Sequence, residues 1–388
     1  MTAGYERLAV SLDVSAIPAR PAGAGRYVVE LARVLGSSEA LALTLVARRS
    51  DGARWRQLAP SSTVLAIAPD SRPWRVGFEQ ALLGPAIGRA GPPAIRVHHG
   101  PHYTLPRRLG GVPAVVTVHD MTFFDHPEWH EKAKVPFFRQ AIKRSATRAD
   151  VIICVSELTA ERLKALLAPV GAVAVIPHGV DHRRFRPAGG PEEAELDAVL
   201  VTQAGVGGST PYILHLGTNE PRKGVADLLG AFNLVAPDVP ELELVLAGLT
   251  GWGSSGVEAA IEASPFGSRI RRLGYVADES VPALLRRAAV VAYPSYEEGF
   301  GLPALEALAC GAPLVTTSAT AMSEVAGDSA WTCPAGEPEA LAGALVAALG
   351  ASASERARRQ DSGVARAGSF TWDRTAEAHV AAYRLASG

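Results

Sequence analysis

Cysteine is scarce in this chain. Cys154, Cys310 and Cys333 are the three among 388 residues, widely spaced and odd in number, which argues against both a disulfide framework and a cysteine metal site. No stretch approaches the 18 or so apolar residues that cross a bilayer. The opening Met-Thr-Ala-Gly-Tyr-Glu-Arg has no signal-peptide pattern, so a cytoplasmic protein is expected. Lysine is nearly absent after residue 183, where Lys223 stands alone. With 48% hydrophobic and 20% charged residues, disorder and fibrous repeats are excluded as well.

Net charge is also small, at −1, but it is unevenly spread. Residues 1–183 carry 23 Lys and Arg against 15 Asp and Glu, whereas residues 184–388 carry 15 against 24. A basic first half suits an anionic partner such as a membrane surface or a phosphorylated acceptor, and it suits drift without function equally well. Nothing in the pattern asks for nucleic acid.

A chain of this length suits two domains. Short apolar strands are expected at 8–14, 41–47, 63–67, 94–98, 114–119, 151–155 and 173–176, with helical stretches such as 26–35 and 75–89 between several of them. That alternation predicts a parallel sheet in an α/β fold. Pro177-His178-Gly179-Val180-Asp181 closes the half as a turn. Residues 184–208, rich in Pro, Gly and Glu, fit a linker and the opening helix of a second unit. Strands at 212–216, 242–247, 270–276, 290–293 and 314–317 then restart the pattern. The expected division is a first domain over 1–183, a linker region over 184–208, a second domain over 209–370 and a C-terminal helix over 371–388.

Ligands of open parallel sheets bind beyond the carboxyl ends of the strands. His119-Asp120 lies there, after Val115-Val116-Thr117-Val118, and His119 is the best histidine candidate. A polar residue satisfied by backbone is the plain alternative. Gly23-Ala24-Gly25 holds only the first half of a dinucleotide fingerprint, and a tight turn explains it as well. His98, His99 and His102 either line a cleft or are ordinary loop residues, without metal spacing. Residues 132–148 form a basic amphipathic helix, for which a solvated face competes with contact to anionic lipid headgroups. Gly251 to Gly256 matches G-x-G-x-x-G formally and is read as a decoy, because the fingerprint belongs with an acidic residue after the next strand and a whole βαβ context.

Two stretches carry more. In Glu298-Gly299-Phe300-Gly301-Leu302-Pro303-Ala304-Leu305-Glu306-Ala307-Leu308-Ala309-Cys310-Gly311, Leu302-Pro303 starts a helix and Gly311 ends it. The coil before it therefore lies at the positive end of the helix dipole, whose N–H groups suit phosphate oxygens. A carboxylate beside a bound phosphate must instead accept from hydroxyls, as a sugar diol offers. Gly217-Thr218-Asn219-Glu220-Pro221-Arg222-Lys223-Gly224 follows the strand 212–216. Its adjacent cations can neutralise a diphosphate, Arg222 through its fork and Lys223 as a point charge.

The first of these stretches resembles the Glu-x7-Glu signature of the family-4 retaining glycosyltransferases, worded EGFG-L-P-x-LEA-x-A-x-G-x-P-V. The second resembles the diphosphate loop of the same family, and Ile176-Pro177-His178-Gly179-Val180-Asp181 resembles its I-P-N-G-V-D phrase with histidine for asparagine. The resemblance implies the GT-B architecture: two facing Rossmann-like domains, an α/β fold, with a C-terminal helix crossing back to the first. It implies that Glu298 contacts the transferred sugar and Glu306 the nucleotide ribose. Gly217, Arg222, Lys223, Gly299, Phe300, Gly301 and Leu302 would join them around the donor, with Tyr275 and Val276 near the base. His119, with Asp120, would face the donor sugar or phosphate, and Gly23 and Gly25 would lie over the diphosphate and acceptor. His119, Glu298, Arg222 and Lys223 are the expected catalytic set.

The implied activity is transfer of a hexosyl group with retention, best matched by GDP-mannose as in bacterial mannosyltransferases. UDP-glucose and UDP-N-acetylglucosamine remain alternatives. The acceptor is a glycan, a lipid-linked glycan or a small molecule, and a peripheral contact at the inner membrane face through 132–148 is weighed with it. No cofactor and no metal are expected. A non-catalytic scaffold would have lost Glu306, Arg222 or Lys223, and all are present. A glycogen-type phosphorylase would need a pyridoxal-phosphate lysine, for which Lys223 alone in the second half leaves little room.

Overall fold

The computed structural model describes residues 7–19, 21, 23–89, 93–206, 210–249, 251 and 255–388. The chain divides into two compact units, Met1–Gly179 with Trp372–Gly388, and Val180–Thr371. Residues 252–254 of the decoy at 251–256 lie outside the described residues, and so does the end of the segment 184–208.

In the first unit, β1 (Leu8–Asp13), β2 (Leu41–Arg48), β3 (Thr63–Ala68), β4 (Val97–Gly100), β5 (Ala114–Val118), β6 (Val151–Cys154) and β7 (Ala172–Val175) form one sheet. Its order is β3-β2-β1-β4-β5-β6-β7 and its pairings are parallel. Both faces are covered, as parallel sheets require. On one side Val10 and Leu12 pack with Tyr27, Leu31 and Leu35 of the helix Ala24–Gly36, and with Trp372, Val380 and Tyr383 of the C-terminal helix. On the other, Val116, Val118, Ile152 and Cys154 meet Ile142 and Ala146 of the helix Lys134–Arg148. The helix Trp372–Ser387 thus belongs to the first unit although the second precedes it in the chain.

In the second unit, β8 (Tyr212–Leu216), β9 (Glu243–Ala247), β10 (Ile270–Gly274), β11 (Val290–Tyr293), β12 (Leu314–Thr317) and β13 (Trp331–Cys333) form a parallel sheet of order β10-β9-β8-β11-β12-β13. The helices Val225–Val235 and Pro338–Leu349 cover one face through Leu228, Phe232, Leu341 and Leu345. The helix Pro191–Gln203 is anchored by Asp197, whose two carboxylate oxygens accept at 2.6 Å from Nε and Nη2 of Arg286.

Several local expectations shift. β4 begins at Val97 rather than 94, in register with β1 through Val10 and Val97. His98 and His99 are therefore strand residues, fully buried, and do not line a cleft. The expected helix 75–89 is two helices, Arg72–Ala81 and Leu83–Gly88. The basic helix starts at Lys134, and Arg139 and Arg144 are spent on the carbonyls of Phe123 and Phe124 and on Gln80.

Candidate active site

The second unit brings its two sequence motifs together. The loop after β8 ends in a 3₁₀ turn at Pro221–Lys223, and Gly224 caps the following helix in the left-handed region, at φ 64°. A Cβ at that position would stand 2.1 Å from the carbonyl oxygen of Pro294, so the contact between the loops admits only glycine. The backbone seals it, with Tyr296 N–H donating to the Arg222 carbonyl at 2.9 Å.

Over this seam the side chains pair. Arg222 Nη1 donates to Glu298 Oε2 at 3.0 Å, Lys223 Nζ donates to Glu298 Oε1, and Ser295 Oγ donates to Oε1 at 3.2 Å. Arg222 Nε also donates to Glu220 Oε2 at 3.1 Å. Burial would raise the Glu298 carboxyl, but Arg222 and Lys223 outweigh it and hold the pKa down to about 2. Burial lowers the Lys223 ammonium, and Glu298 partly restores it.

Glu298 leads into the helix Leu302–Ala309, which Gly301 caps at φ 102°. Gly311 ends it, with Gly311 N–H on the Leu308 carbonyl and Ala312 N–H on the Ala307 carbonyl. Glu306, one turn in, is 6% exposed, and Phe300 is buried against Phe370. The motif loop is held from β12, whose Thr317 Oγ1 donates to the Ser295 carbonyl at 2.6 Å. Gly217 is tied to β9 by its N–H on the Ala247 carbonyl at 2.8 Å. Tyr275 is exposed just past β10, with Val276 after it.

The first unit carries the other candidates. His119 follows β5, and its Nε2 lies 2.8 Å from the Pro101 carbonyl. A carbonyl only accepts, so Nε2 bears the ring proton and Nδ1 is the acceptor. Burial and the neighbouring His102 lower its pKa to about 4, so the ring is neutral at physiological pH. Asp120 accepts from Tyr103 OH at 2.8 Å and from Thr122 N–H and Oγ1 at 3.1 and 2.6 Å. Its carboxylate therefore shapes the loop after β5. Gly23 caps the helix Ala24–Gly36, and Gly25 is buried in its first turn beside Pro21.

Glu298, Arg222, Lys223 and Glu306 are thus gathered in one unit, and His119, Asp120, Gly23 and Gly25 in the other. Sequence reasoning missed Ser295, Thr317 and Glu220. It also missed His215 of β8, a buried ring that donates from Nδ1 to the Ala292 carbonyl at 3.0 Å while its Nε2 has no partner. Among the described residues, no group of three or more His, Cys, Asp and Glu is arranged to hold a metal ion, and no helix is long and apolar enough to cross a membrane.

Two Rossmann-like domains, one with paired cations against a glutamate-led helix start, define a glycosyltransferase of the GT-B class. The chain belongs to glycosyltransferase family 4. Residues 21–184 match the family model described as Glycosyltransferase Family 4, and residues 210–351 that described as Glycosyl transferases group 1. It is similar to the O-antigen chain mannosyltransferase B of Escherichia coli, 31% identical over 293 residues that cover 74% of each chain. It is 28% identical over 251 residues to a GDP-mannose-dependent alpha-(1-6)-phosphatidylinositol dimannoside mannosyltransferase of Mycobacterium tuberculosis, covering 64% of this chain and 61% of that one. In fold it is similar to the sucrose-phosphate synthase of Thermosynechococcus elongatus, with a TM-score of 0.76 at 20% identity, covering 97% of this chain and 98% of the other.

Proposed function

We propose that this glycosyltransferase moves a mannosyl group from GDP-mannose, with retention, to a hydroxyl of a glycan, lipid-linked or small-molecule acceptor. The carrying observation is the cluster in which one carboxylate, Glu298, occupies both cations of the 217–224 loop. Without donor, Glu298 stands where diphosphate oxygens would go. When the diphosphate arrives, Arg222 and Lys223 transfer their hydrogen bonds to it, and Glu298 turns to the sugar hydroxyls. The exchange costs little charge, because one anion replaces another on the same cations.

Chemistry then proceeds on one face of the sugar. The bond from the anomeric carbon to the diphosphate oxygen breaks and the acceptor oxygen bonds from the same side. The acceptor proton goes to the departing phosphate oxygen, whose charge Arg222, Lys223 and the helix N-terminus at Leu302 absorb. In this reading fixed cations supply the charge that a divalent metal would, and no metal or other cofactor takes part. Glu306 holds the ribose and Tyr275-Val276 the base. Neutral His119, offering a lone pair at Nδ1, suits a hydroxyl rather than a phosphate oxygen. The mannosyl donor is favoured by the two relatives named as mannosyltransferases. UDP-glucose and UDP-N-acetylglucosamine are the competing donors.

A panel of nucleotide sugars, without and with added divalent metal, tests this by thermal shift and donor hydrolysis. GDP-mannose is expected to raise Tm and to be slowly hydrolysed in the absence of metal, with Glu306→Ala losing both effects. Stabilisation by a uridine donor alone overturns the donor assignment, and no response to any nucleotide sugar overturns the enzymatic reading of the site.

A peripheral contact with an anionic lipid surface belongs to the same proposal. Within the first unit, a groove of about 260 Å³ is lined by Val76, Leu105, Phe137, Arg107 and Arg144. Trp74, on the same helix as Val76, is 76% exposed. Aromatics in reach of basic side chains suit the headgroup region. Cosedimentation with phosphatidylserine vesicles is expected, lost in Trp74→Ala/Phe137→Ala and in 1 M salt, where the Debye length is about 3 Å. Equal binding to neutral vesicles, or none to either, would sink it.

A further inference from the structure

Beneath His119 runs a buried chain of hydrogen bonds that the reaction does not use directly. Tyr383 OH lies 2.8 Å from His99 Nδ1, and His99 Nε2 lies 2.8 Å from Thr117 Oγ1. Thr117 Oγ1 lies 2.9 Å from Tyr27 OH, Tyr27 OH 2.8 Å from His379 Nε2, and His379 Nδ1 2.7 Å from the Thr375 carbonyl. Tyr27, His99, Thr117, His379 and Tyr383 are all fully buried.

The last link fixes every proton. A carbonyl accepts, so His379 Nδ1 carries hydrogen and its Nε2, in a neutral ring, must accept from Tyr27. The Tyr27 hydroxyl has then spent its proton and accepts from Thr117, whose oxygen accepts from His99 Nε2–H. That leaves His99 Nδ1 to accept from Tyr383. Each ring nitrogen is used once, the Thr117 and Tyr27 hydroxyls each donate once and accept once, and the chain runs in a single direction. Burial keeps both imidazoles neutral: His379 falls to about 4, and His99, facing His379, His98 and His119, falls well below its ordinary value.

Thr375, His379 and Tyr383 stand four residues apart on one face of the C-terminal helix, which the chain joins to β4, β5 and the helix Ala24–Gly36. Tyr27 is the member that reaches the site. Its ring lies edge-on to His119, with centroids 5.2 Å apart, and packs at 4.6 Å against His178. Thr117 lies in β5, two residues before His119, which follows the strand.

We propose that Tyr27 and His379 are positioning residues, through which the docked C-terminal helix sets the orientation of His119. This rests on the role given to His119 under the proposed function. If it holds, removing the Tyr27 hydroxyl frees the ring to shift and His119 loses its edge contact, while the donor groups in the second unit are untouched. The helix Ala24–Gly36, which Gly23 caps, is held by the same hydroxyl.

The test uses the full chain labelled with ¹⁵N-histidine, its His119 signals assigned with His119→Ala. Wild type is compared with Tyr27→Phe, His379→Leu and His379→Gln, the last retaining an acceptor for Tyr27. Tyr27→Phe and His379→Leu are expected to move the His119 ring signals. They should also lower kcat about tenfold, with the donor KM within twofold, while His379→Gln stays within threefold of wild type on both readouts. Unmoved His119 signals in Tyr27→Phe, or a kcat loss no larger than the loss of folded protein, overturns the proposal. Absence of turnover by wild type with any nucleotide sugar would instead defeat the proposed function, and the ring signals would still decide whether Tyr27 positions His119.

Discussion

Lys223→Ala is expected to lower kcat/KM for the donor by two to three orders of magnitude, the usual effect of removing one preorganised group that stabilises developing charge. Lys223 is the lysine of the second half, and Glu298 and Lys223 expose only 12% and 14% of their side chains. Water therefore cannot readily replace the lost ammonium. The substitution also changes Glu298, which keeps Arg222 but loses a second cation and a hydrogen bond. Its carboxyl should rise from about 2 toward the ordinary range, so an acid limb absent from the wild-type rate profile above about pH 3 should enter from below in the variant. The sign for stability is the same. A carboxyl depressed in the folded state contributes fully above the ordinary glutamate value of about 4.3, and that contribution is lost as pH falls toward 2. Lys223→Arg keeps the charge without the geometry and should fall between the two. Donor kinetics from pH 4 to 8 check both, and kcat/KM within threefold of wild type for Lys223→Ala would remove the cation from the mechanism.

The strands and helices that positioned the motifs were legible where burial on both faces leaves an uninterrupted apolar run. β8, β11 and β12 have the limits that their sequences announce. β4 is the opposite case. Its His98 and His99 are polar by composition and fit a cleft lining or a loop, yet a central strand buries both, with Ser11 on His98 Nδ1 and Thr117 on His99 Nε2. Nothing local could show this, since the partners lie 87 and 18 residues away. β13 has three residues, and the region read as one helix breaks at Leu82, between Ala81 and Leu83.

The candidate site divides in the same way. Glycine spacing and the helix start around Glu298 were visible as a motif, as was the Arg222-Lys223 pair. Their pairing was not, because 75 and 76 residues separate the partners and either motif alone is equally compatible with solvated charges. The loop contacts from Ser295 and Thr317 escaped notice because a serine or threonine after a strand is common. Asp120 was singled out for its place at a strand end, and that place is also where a carboxylate is needed to hold the turn through Thr122. The hydrogen-bond chain below His119 depends on Tyr27 and His379, 352 residues apart.

Gly224→Ala should reduce turnover by about a hundredfold while leaving the fold in place. The residue has φ 64°, and its missing Cβ would stand 2.1 Å from the Pro294 oxygen, a separation that no carbon can hold. The loops must part by roughly 1 Å, a displacement that alone can cost about 10²-fold when it moves reacting groups out of line. Arg222 and Lys223 immediately precede Gly224, and Glu298 lies four residues beyond Pro294, so the parting acts on the cluster itself. The Tyr296 to Arg222 backbone bond breaks with it. β8 and β11 are paired lower down, through Ile213 with Val290 and Leu214 with Val291, and should stay paired, so the loss of Tm should be a few degrees. Gly343→Ala is the matched control, since it lies within the helix Pro338–Leu349 with no atom near a built Cβ. There alanine should stabilise by about 0.4–1 kcal/mol at unchanged kcat. If Gly224→Ala turned over donor as wild type does, the seam between the two loops would not be what holds Glu298, Arg222 and Lys223 in register, and the cluster would have to assemble only when the donor binds.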